Sequence, residues 1–273
     1  MKLLQKILIL SFGLLLTGCE DVINVDLDTA APRLVIDASI DWVKNTAGNE
    51  QKIVLSATTG YYSAEFPTVS GAVVTVTNAS GTVFTFLETP GTGQYVCSNF
   101  LPVIGETYTL KIVLNGQTYT ATETLAAVPE IEDTIDQNDK GGDTGDEIEL
   151  TFYYQDDASQ ANAYLNSVTQ PHTPFPELEV EDDEHTNGNL MQESYSSEDL
   201  KPGDQVDIRL YGISKSYYNY MFKLIVASGN DGSPFPTIPS AVRGNIVNQT
   251  DSRNYAFGYF RLAEMDIKSY TVQ

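Results

Sequence analysis

Short stretches in which apolar and polar residues alternate, each closed by turn residues, fill the first half of the chain. Leu34, Ile36, Ala38 and Ile40 alternate with Asp37 and Ser39. Runs at 52–55, 72–77 and 82–87 are rich in Val, Ile, Thr and Phe, and Asn78-Ala79-Ser80-Gly81 separates the last two. Period-two alternation in β-branched and aromatic residues predicts half-buried strands. The sharpest local prediction is a hairpin across Asn115-Gly116, because a type I′ turn needs two left-handed residues and Asn-Gly supplies them. A two-residue loop pairs Leu114 with Gln117, Ile112 with Tyr119 and Leu110 with Ala121. It places Tyr108, Leu110, Ile112, Leu114, Tyr119 and Ala121 on one face. Many such strands over 33–128 predict an immunoglobulin-like β-sandwich.

Val128-Pro129-Glu130 marks an expected boundary, and 131–273 reads as a second β-rich domain. Strands are predicted at 131–136, 148–154, 206–211 and 255–260, with a polar glycine-rich loop at 138–146 and long loops across the acidic, proline-rich 170–203. One main helix is expected near 214–228. Ser214 or Ser216 caps its start, Gly229 stops it, and Tyr217, Tyr220, Met221, Leu224, Ile225 and Ser228 recur at helical spacing. The stripe predicts a face laid on the second sheet. No internal repeat and no low-complexity tract is present. The fold class is therefore mostly β, a sandwich followed by a β-rich domain with one helix.

The N-terminus follows a different pattern. Lys2 and Lys6 precede an apolar run from Ile7 to Leu16, and Thr17-Gly18-Cys19 follows. A basic start, a short apolar core and small residues before a cleavage point make a secretory signal over 1–18. The run is too short for a bilayer span, which takes roughly 20 residues. Leu16-Thr17-Gly18-Cys19 has the form of a bacterial lipobox, so Cys19 is expected to carry lipid and become the new N-terminus. Residues 19–32 then serve as a tether. Glu20-Asp21, directly after the anchor, favours display on the outer surface over the periplasmic face.

Charge and cysteine content narrow the partners. Removing Lys2 and Lys6 from the 15 basic residues leaves 13 against 37 acidic ones, a net charge of −24. Such a surface repels nucleic acid and anionic headgroups. With Cys19 lipidated, Cys97 stands alone and forms no internal disulfide. In Gln94-Tyr95-Val96-Cys97 it reads as a small buried hydrophobe on a strand.

The order of several segments resembles domain-of-unknown-function family 4249, a family of Bacteroidota lipoproteins. The resemblance rests on Cys19-Glu20-Asp21-Val22-Ile23, Leu34-Val35-Ile36-Asp37, 69–76, Gly105-Glu106-Thr107-Tyr108-Thr109-Leu110 and 213–220. Phe235-Pro236, Ile238-Pro239 and Gly244-Asn245-Ile246 complete it. The sequence departs at 248–253, where a glycine-rich stretch is usual. The resemblance implies an accessory protein of TonB-dependent outer-membrane receptors. It carries no catalytic residues, cofactor or metal to transfer.

No catalytic or phosphate-binding motif stands out. Gly91-Thr92-Gly93 lacks the third glycine of a dinucleotide loop. His172 and His185 sit in acidic, loop-like sequence and read as solvated. Asp136, Asn138, Gly141 and Glu147 take the spacing of a calcium loop, but Lys140 puts an ammonium where an oxygen ligand belongs. A solvated hairpin loop accounts better for them. The run 177–184 is a looser calcium candidate or a charged edge strand. Three readings remain open: an accessory protein that binds a receptor or its nutrient ligand, a surface hydrolase of glycan or peptide, and a structural assembly factor of an outer-membrane complex. The first is favoured, and no enzyme activity is expected. Phe235 and Ile238, on the proline-stiffened loop 233–239, together with Tyr211 and Tyr218, are the candidate contacts. Asp28-Thr29-Ala30 and Asp133-Thr134-Ile135 resemble O-glycan acceptors, at Thr29 and Thr134.

Overall fold

In the first half of the chain the alternating strands pair into two sheets that share one core. The computed structural model describes residues 31–60, 63, 65–142, 144–228 and 242–273. Strands β1 (Leu34–Val43), β2 (Gln51–Ala57), β5 (Gln94–Cys97) and β4 (Val83–Thr89) follow one another in one sheet. Strands β3 (Val73–Asn78), β6 (Thr107–Leu114) and β7 (Gln117–Thr124) form the other. β4 changes sheets along its length: Val83–Phe86 pairs with β3 and Leu87–Thr89 with β5. First, second, fifth and fourth strands facing third, sixth and seventh is the strand distribution of an immunoglobulin-like sandwich. Ile36, Ala38, Ile40, Ile53, Leu55, Val74, Val76, Phe84 and Phe86 fill its core, as period-two alternation requires. Cys97 is free and buried in the same core.

The Asn-Gly hairpin forms in the predicted register, Leu114 opposite Gln117 and Ile112 opposite Tyr119. Asn115 has φ 49° and Gly116 φ 74°, the left-handed pair a type I′ turn needs. Tyr108, Leu110, Ile112, Tyr119 and Ala121 are buried on one face; Leu114 is half-buried at the tip.

The second half repeats the scheme with one strand moved. Strands β8 (Ile131–Gly141), β9 (Glu147–Gln155) and β12 (Leu190–Ser197) form a three-stranded sheet ordered β12-β9-β8. Strands β10 (Ala163–Thr169), β11 (Glu177–Asp182), β13 (Gln205–Gly212) and β15 (Phe257–Thr271) pair in the order β11-β10-β13-β15. Counted from β8, the first, second and fifth strands face the third, fourth, sixth and seventh. Leu150, Phe152, Tyr154, Tyr164, Val168, Val206, Ile208 and Leu210 fill the space between the sheets. The helix α1 (Lys215–Ser228) enters between the sixth and seventh strands. Its Tyr217 and Met221 are buried with Ala163, Leu165, Val180, Tyr259 and Ala263, and Tyr220, Leu224 and Ile225 pack on them. The predicted stripe thus covers the outer face of the four-stranded sheet.

Pro32–Gln273 is one compact unit, and β15 explains why. Val35 to Val43 of β1 pair in parallel with Phe257 to Met265. The remainder of β15, Met265 to Thr271, pairs antiparallel with β13. Core membership changes at Val128, yet Ile246, Ala256, Phe260 and Leu262 belong to the first core. The short strand β14 (Val247–Asn248) adds to the edge of β7.

Three expectations about element extent need correction. The acidic 170–203 holds β11 and β12, because Glu177, Glu179 and Glu181 alternate with Leu178 and Val180 along a sheet edge. β8 runs through the polar stretch to Gly141, with a register shift between Asn138 and Gly141. β15 continues from the predicted 255–260 to Thr271, held on both sides by strands distant in sequence. β10, with Asn166 and Ser167 among its buried residues, showed no alternation and was not predicted.

Candidate functional site: the groove between the sandwiches

The sequence Thr124 to Ala127 leaves β7 and crosses to the second sandwich beside β15. Ala126 bridges to Ala263, and the Glu264 N–H donates to the Ala126 carbonyl at 2.9 Å. The buried Glu264 carboxylate then accepts the Val128 N–H (2.9 Å) and Lys44 Nζ (3.2 Å), and Asp266 accepts the Ile131 N–H (2.8 Å). The Val128 and Ile131 backbone donors of the connection are thereby paired with carboxylates. On one side of this fastened connection lies a groove of about 530 Å³, within the size range of ligand pockets, which favour domain junctions.

Its walls are apolar. Ile104, Leu125, Ala126, Ala127, Ala163 and Ile213 line it, with Asn162, Asp183 and Lys215 at its polar end. Asp183 is buried and accepts the Asn162 N–H at 2.7 Å. Lys215 pairs with Asp182, which holds that carboxyl below its usual range. Leu101, Val103 and Ile104, at 61%, 50% and 41% exposure, continue the apolar surface along the loop before β6. Of the three, Ile104 also lines the groove.

Glu123 is bonded to Ser214, one of the groove's lining residues. Its Oε2 accepts from Ser214 Oγ (2.9 Å) and Tyr259 OH (3.1 Å), and burial pushes its carboxyl above the usual range. Ser214 also caps α1, accepting the Tyr217 N–H at 3.1 Å. The Ser214 hydroxyl and the Glu123 carboxylate together therefore join β7, α1 and β15. Beneath the helix, Arg261 reaches Asp41 with one nitrogen 2.6 Å from both carboxylate oxygens. Its guanidinium lies 4.8 Å from the Tyr211 ring and 5.1 Å from the Tyr217 ring. Burial pushes the Asp41 carboxyl up against the opposing pull of Arg261.

These contacts place the candidate residues named from sequence. Tyr211 is half-buried and packs on Arg261, which makes it part of the helix–sheet layer. Tyr218 is half-buried at the surface of α1, its ring 6.3 Å from Phe222 and under Lys215 Nζ at 4.5 Å. Thr134 is exposed on β8, next to Asp133, which binds Lys268 at 2.6 Å. Cys19, Thr29, Phe235 and Ile238 lie outside the described residues, as does the loop 233–239. Tyr211 and Tyr218 are not brought to the groove. Sequence reasoning missed Ile104, Glu123 and Ile213; the aliphatic triplet in the 101–104 loop was the one available signal.

His172 and the carboxylates of the calcium-like spacing take up structural contacts. His172 Nε2 lies 2.7 Å from Asp204, which it holds below the ordinary carboxylate range. Asp136 accepts from Tyr153 OH (2.9 Å) and Glu147 from Ser196 Oγ of β12 (2.6 Å), so two carboxylates of the calcium-like spacing at 136–147 are engaged within the three-stranded sheet.

No curated protein matches this chain. Similar solved structures include a two fibronectin type-III domain segment from chicken tenascin, 15% identical, covering 66% of this chain and 90% of that one, with a TM-score of 0.21. A cytokine receptor complex is 9% identical over 68% of this chain and 86% of that one, with a TM-score of 0.25. The FN1–FN3 domains of chicken CNTN1 are 14% identical over 65% and 62%, with a TM-score of 0.26. At such TM-scores the fold rests on the strand order described above and not on these neighbours. The family described as "Domain of unknown function (DUF4249)" matches residues 20–268, so the chain belongs to that family.

Proposed function

We propose that the protein is a Bacteroidota outer-membrane lipoprotein, anchored through Cys19, that binds a TonB-dependent receptor or its nutrient ligand and catalyses no reaction. The observation that carries this reading is the apolar groove between the sandwiches, with Leu101, Val103 and Ile104 exposed along its rim. A groove walled by aliphatic side chains is suited to the apolar anchors of a protein or peptide partner. A hydrolase would need an acid and a base converging on one cleft; of the two carboxylates lining the groove, Asp183 is buried and accepts the Asn162 N–H, and Glu184 is exposed. The acidic surface disfavours nucleic acid as partner.

The test is purification from native membranes in mild detergent, comparing wild type with Ile104→Asp and Cys19→Ser. Ile104→Asp is expected to lose the co-purifying receptor while the melting temperature stays within about 1 °C, since a surface substitution changes stability little. Cys19→Ser is expected to leave the membrane fraction, the lipid being the anchor. An Ile104→Asp protein that retains its partner at wild-type yield would remove the groove from the proposal.

A further inference from the structure

Where the chain enters β1, three of its five arginines gather around one tyrosine. The guanidinium of Arg33 lies 4.1 Å from the centre of the Tyr255 ring, and that of Arg243 lies 3.9 Å from the same centre. Arg33 Nη1 also donates to the Arg253 carbonyl at 3.2 Å. The Arg253 side chain is 90% exposed. Phe257 stands edge-on to Tyr255 at 5.4 Å. Two guanidinium groups on one ring repel each other, and the ring offsets only part of that repulsion. Among the described residues, Lys44, Arg209, Lys215, Arg261 and Lys268 each pair with a carboxylate. Arg253 pairs with Asp251 at 3.2 Å, but neither Arg33 nor Arg243 pairs with any described carboxylate. The chain has 37 acidic residues against 15 basic ones, so partners are in excess. Two stacked arginines without one make a place for an anion from outside the molecule.

Backbone pairing sets the rest of this end. Val35 pairs with Phe257, which puts Tyr255 beside Arg33. On the other side the Arg33 N–H donates to Thr58 Oγ1 (2.9 Å), and the Arg33 carbonyl accepts the Thr58 N–H (2.8 Å). The Ala57 N–H donates to the Pro67 carbonyl at 2.8 Å. Tyr255, Arg33, Thr58 and Pro67 thus follow one another across adjacent strands, a width of about 15 Å. Phe66, 70% exposed, closes the far side, next to the exposed Glu65. The groove lies elsewhere: Ala126 bridges to Ala263, about 20 Å further along β15 than Phe257.

We propose that this end is a docking surface for an anionic lipid bilayer, with Arg33 and Arg243 on headgroup phosphates and Tyr255 and Phe66 at the level of the interface. It rests on the reading of the protein as anchored through Cys19, and deepens it. The tether 19–32 leads directly into Arg33. A lipid at Cys19 therefore confines Arg33 to within about 50 Å of the bilayer, and a weak surface gains from that high effective concentration. A guanidinium is weakly hydrated and its fork matches a phosphate. Arginine and tyrosine also carry a polar tip on an apolar body, which suits the boundary between water and hydrocarbon. The net charge repels an anionic surface on average. Physiological salt limits that repulsion to about 8 Å, so the cations at the docked end decide the contact. The patch orients the molecule and the lipid anchors it. Docking here leaves the groove clear of the bilayer.

The test is flotation of the full Cys19→Ser chain with vesicles. That chain carries no lipid at residue 19, so its result does not depend on whether Cys19 is acylated; the anchor is judged separately, from the mass of the native protein. Vesicles of phosphatidylcholine with about one-third phosphatidylglycerol are expected to capture it at about 50 mM salt, and at least about threefold less at about 300 mM. Pure phosphatidylcholine should capture at least about threefold less at either salt. Each arginine near such a surface contributes about fivefold, so Arg33→Gln/Arg243→Gln should lower the partition coefficient at least about tenfold. Arg33→Lys/Arg243→Lys keeps the charge and should keep most of the capture. Lys52→Gln/Lys111→Gln removes the same charge from other exposed positions and should change capture by less than about twofold. Thermal melting of each variant confirms that it is folded. No capture by anionic vesicles, equal capture by neutral ones, or an equal loss in the lysine pair would each overturn the assignment. So would tight binding of soluble dextran sulfate without capture by vesicles, which would give the patch to an anionic glycan instead.

Discussion

At the scale of single residues, backbone chemistry was the most legible signal. Asn115 and Gly116 both adopt positive φ, and the turn type follows from that pair. A β-branched residue is disfavoured in the left-handed region by about 1–2 kcal/mol. Asn115→Val is therefore expected to lower stability by about that amount in urea denaturation, whereas Asn115→Gly should stay within a few tenths. Ser214 likewise capped α1 as its position predicted. Asn166 and Glu123 were silent, since the sequence around them carries no motif and their environment is made by strands far away in the chain.

At the scale of elements, alternation declared the strands of the first sandwich, whereas β10 showed none. β1 to β7 alternate and were found. β10 is buried along most of its length, so no polar face marks its period. Its position depends on β13, which ends where the groove begins. At Gly212 an added Cβ would lie 1.9 Å from the Ala127 carbonyl oxygen, a backbone atom that cannot turn aside. Gly212→Ala should therefore destabilise by about 1–3 kcal/mol or more, the usual cost of overpacking, and distort the wall formed by Ala127 and Ile213. Gly60→Ala, with nothing within 4 Å of the new methyl, is the control and should be neutral or gain about 0.4–1 kcal/mol. Calorimetric melting of the pair separates a close backbone approach from a general intolerance of side chains.

At the scale of the molecule, β15 sets the limits of independence. It supplies Phe260 and Leu262 to the first core and covers the edge of β1, and Ile246 and Ala256 come from the segment just before it. At about 1.5–3 kcal/mol for each fully buried large apolar side chain, Phe260, Leu262 and Ile246 are worth roughly 5–9 kcal/mol. That equals much of the net stability of an ordinary domain, about 5–15 kcal/mol. A fragment spanning 33–128 should therefore fail to give a cooperative melt or dispersed amide resonances. The fragment with 244–265 joined back by a flexible linker should recover both. A cooperative transition in the bare fragment would show that β15 is an addition to a self-sufficient sandwich.

The sequence by itself determined what depends on neighbours in the chain: strand periods, the type I′ turn, the helix with its cap, and a mostly β fold that begins as a sandwich. The acidic charge was equally direct, because it is a sum over single residues. Tertiary structure alone decided that the second half is also a seven-stranded sandwich, that β1 pairs in parallel with a strand more than 200 residues away, and that a groove opens at Ala126–Ala127. It alone gathered Arg33, Arg243 and Arg253 around Tyr255. These features come from pairings at long range, where the local pattern states that a face is apolar or charged but not which strand will lie against it.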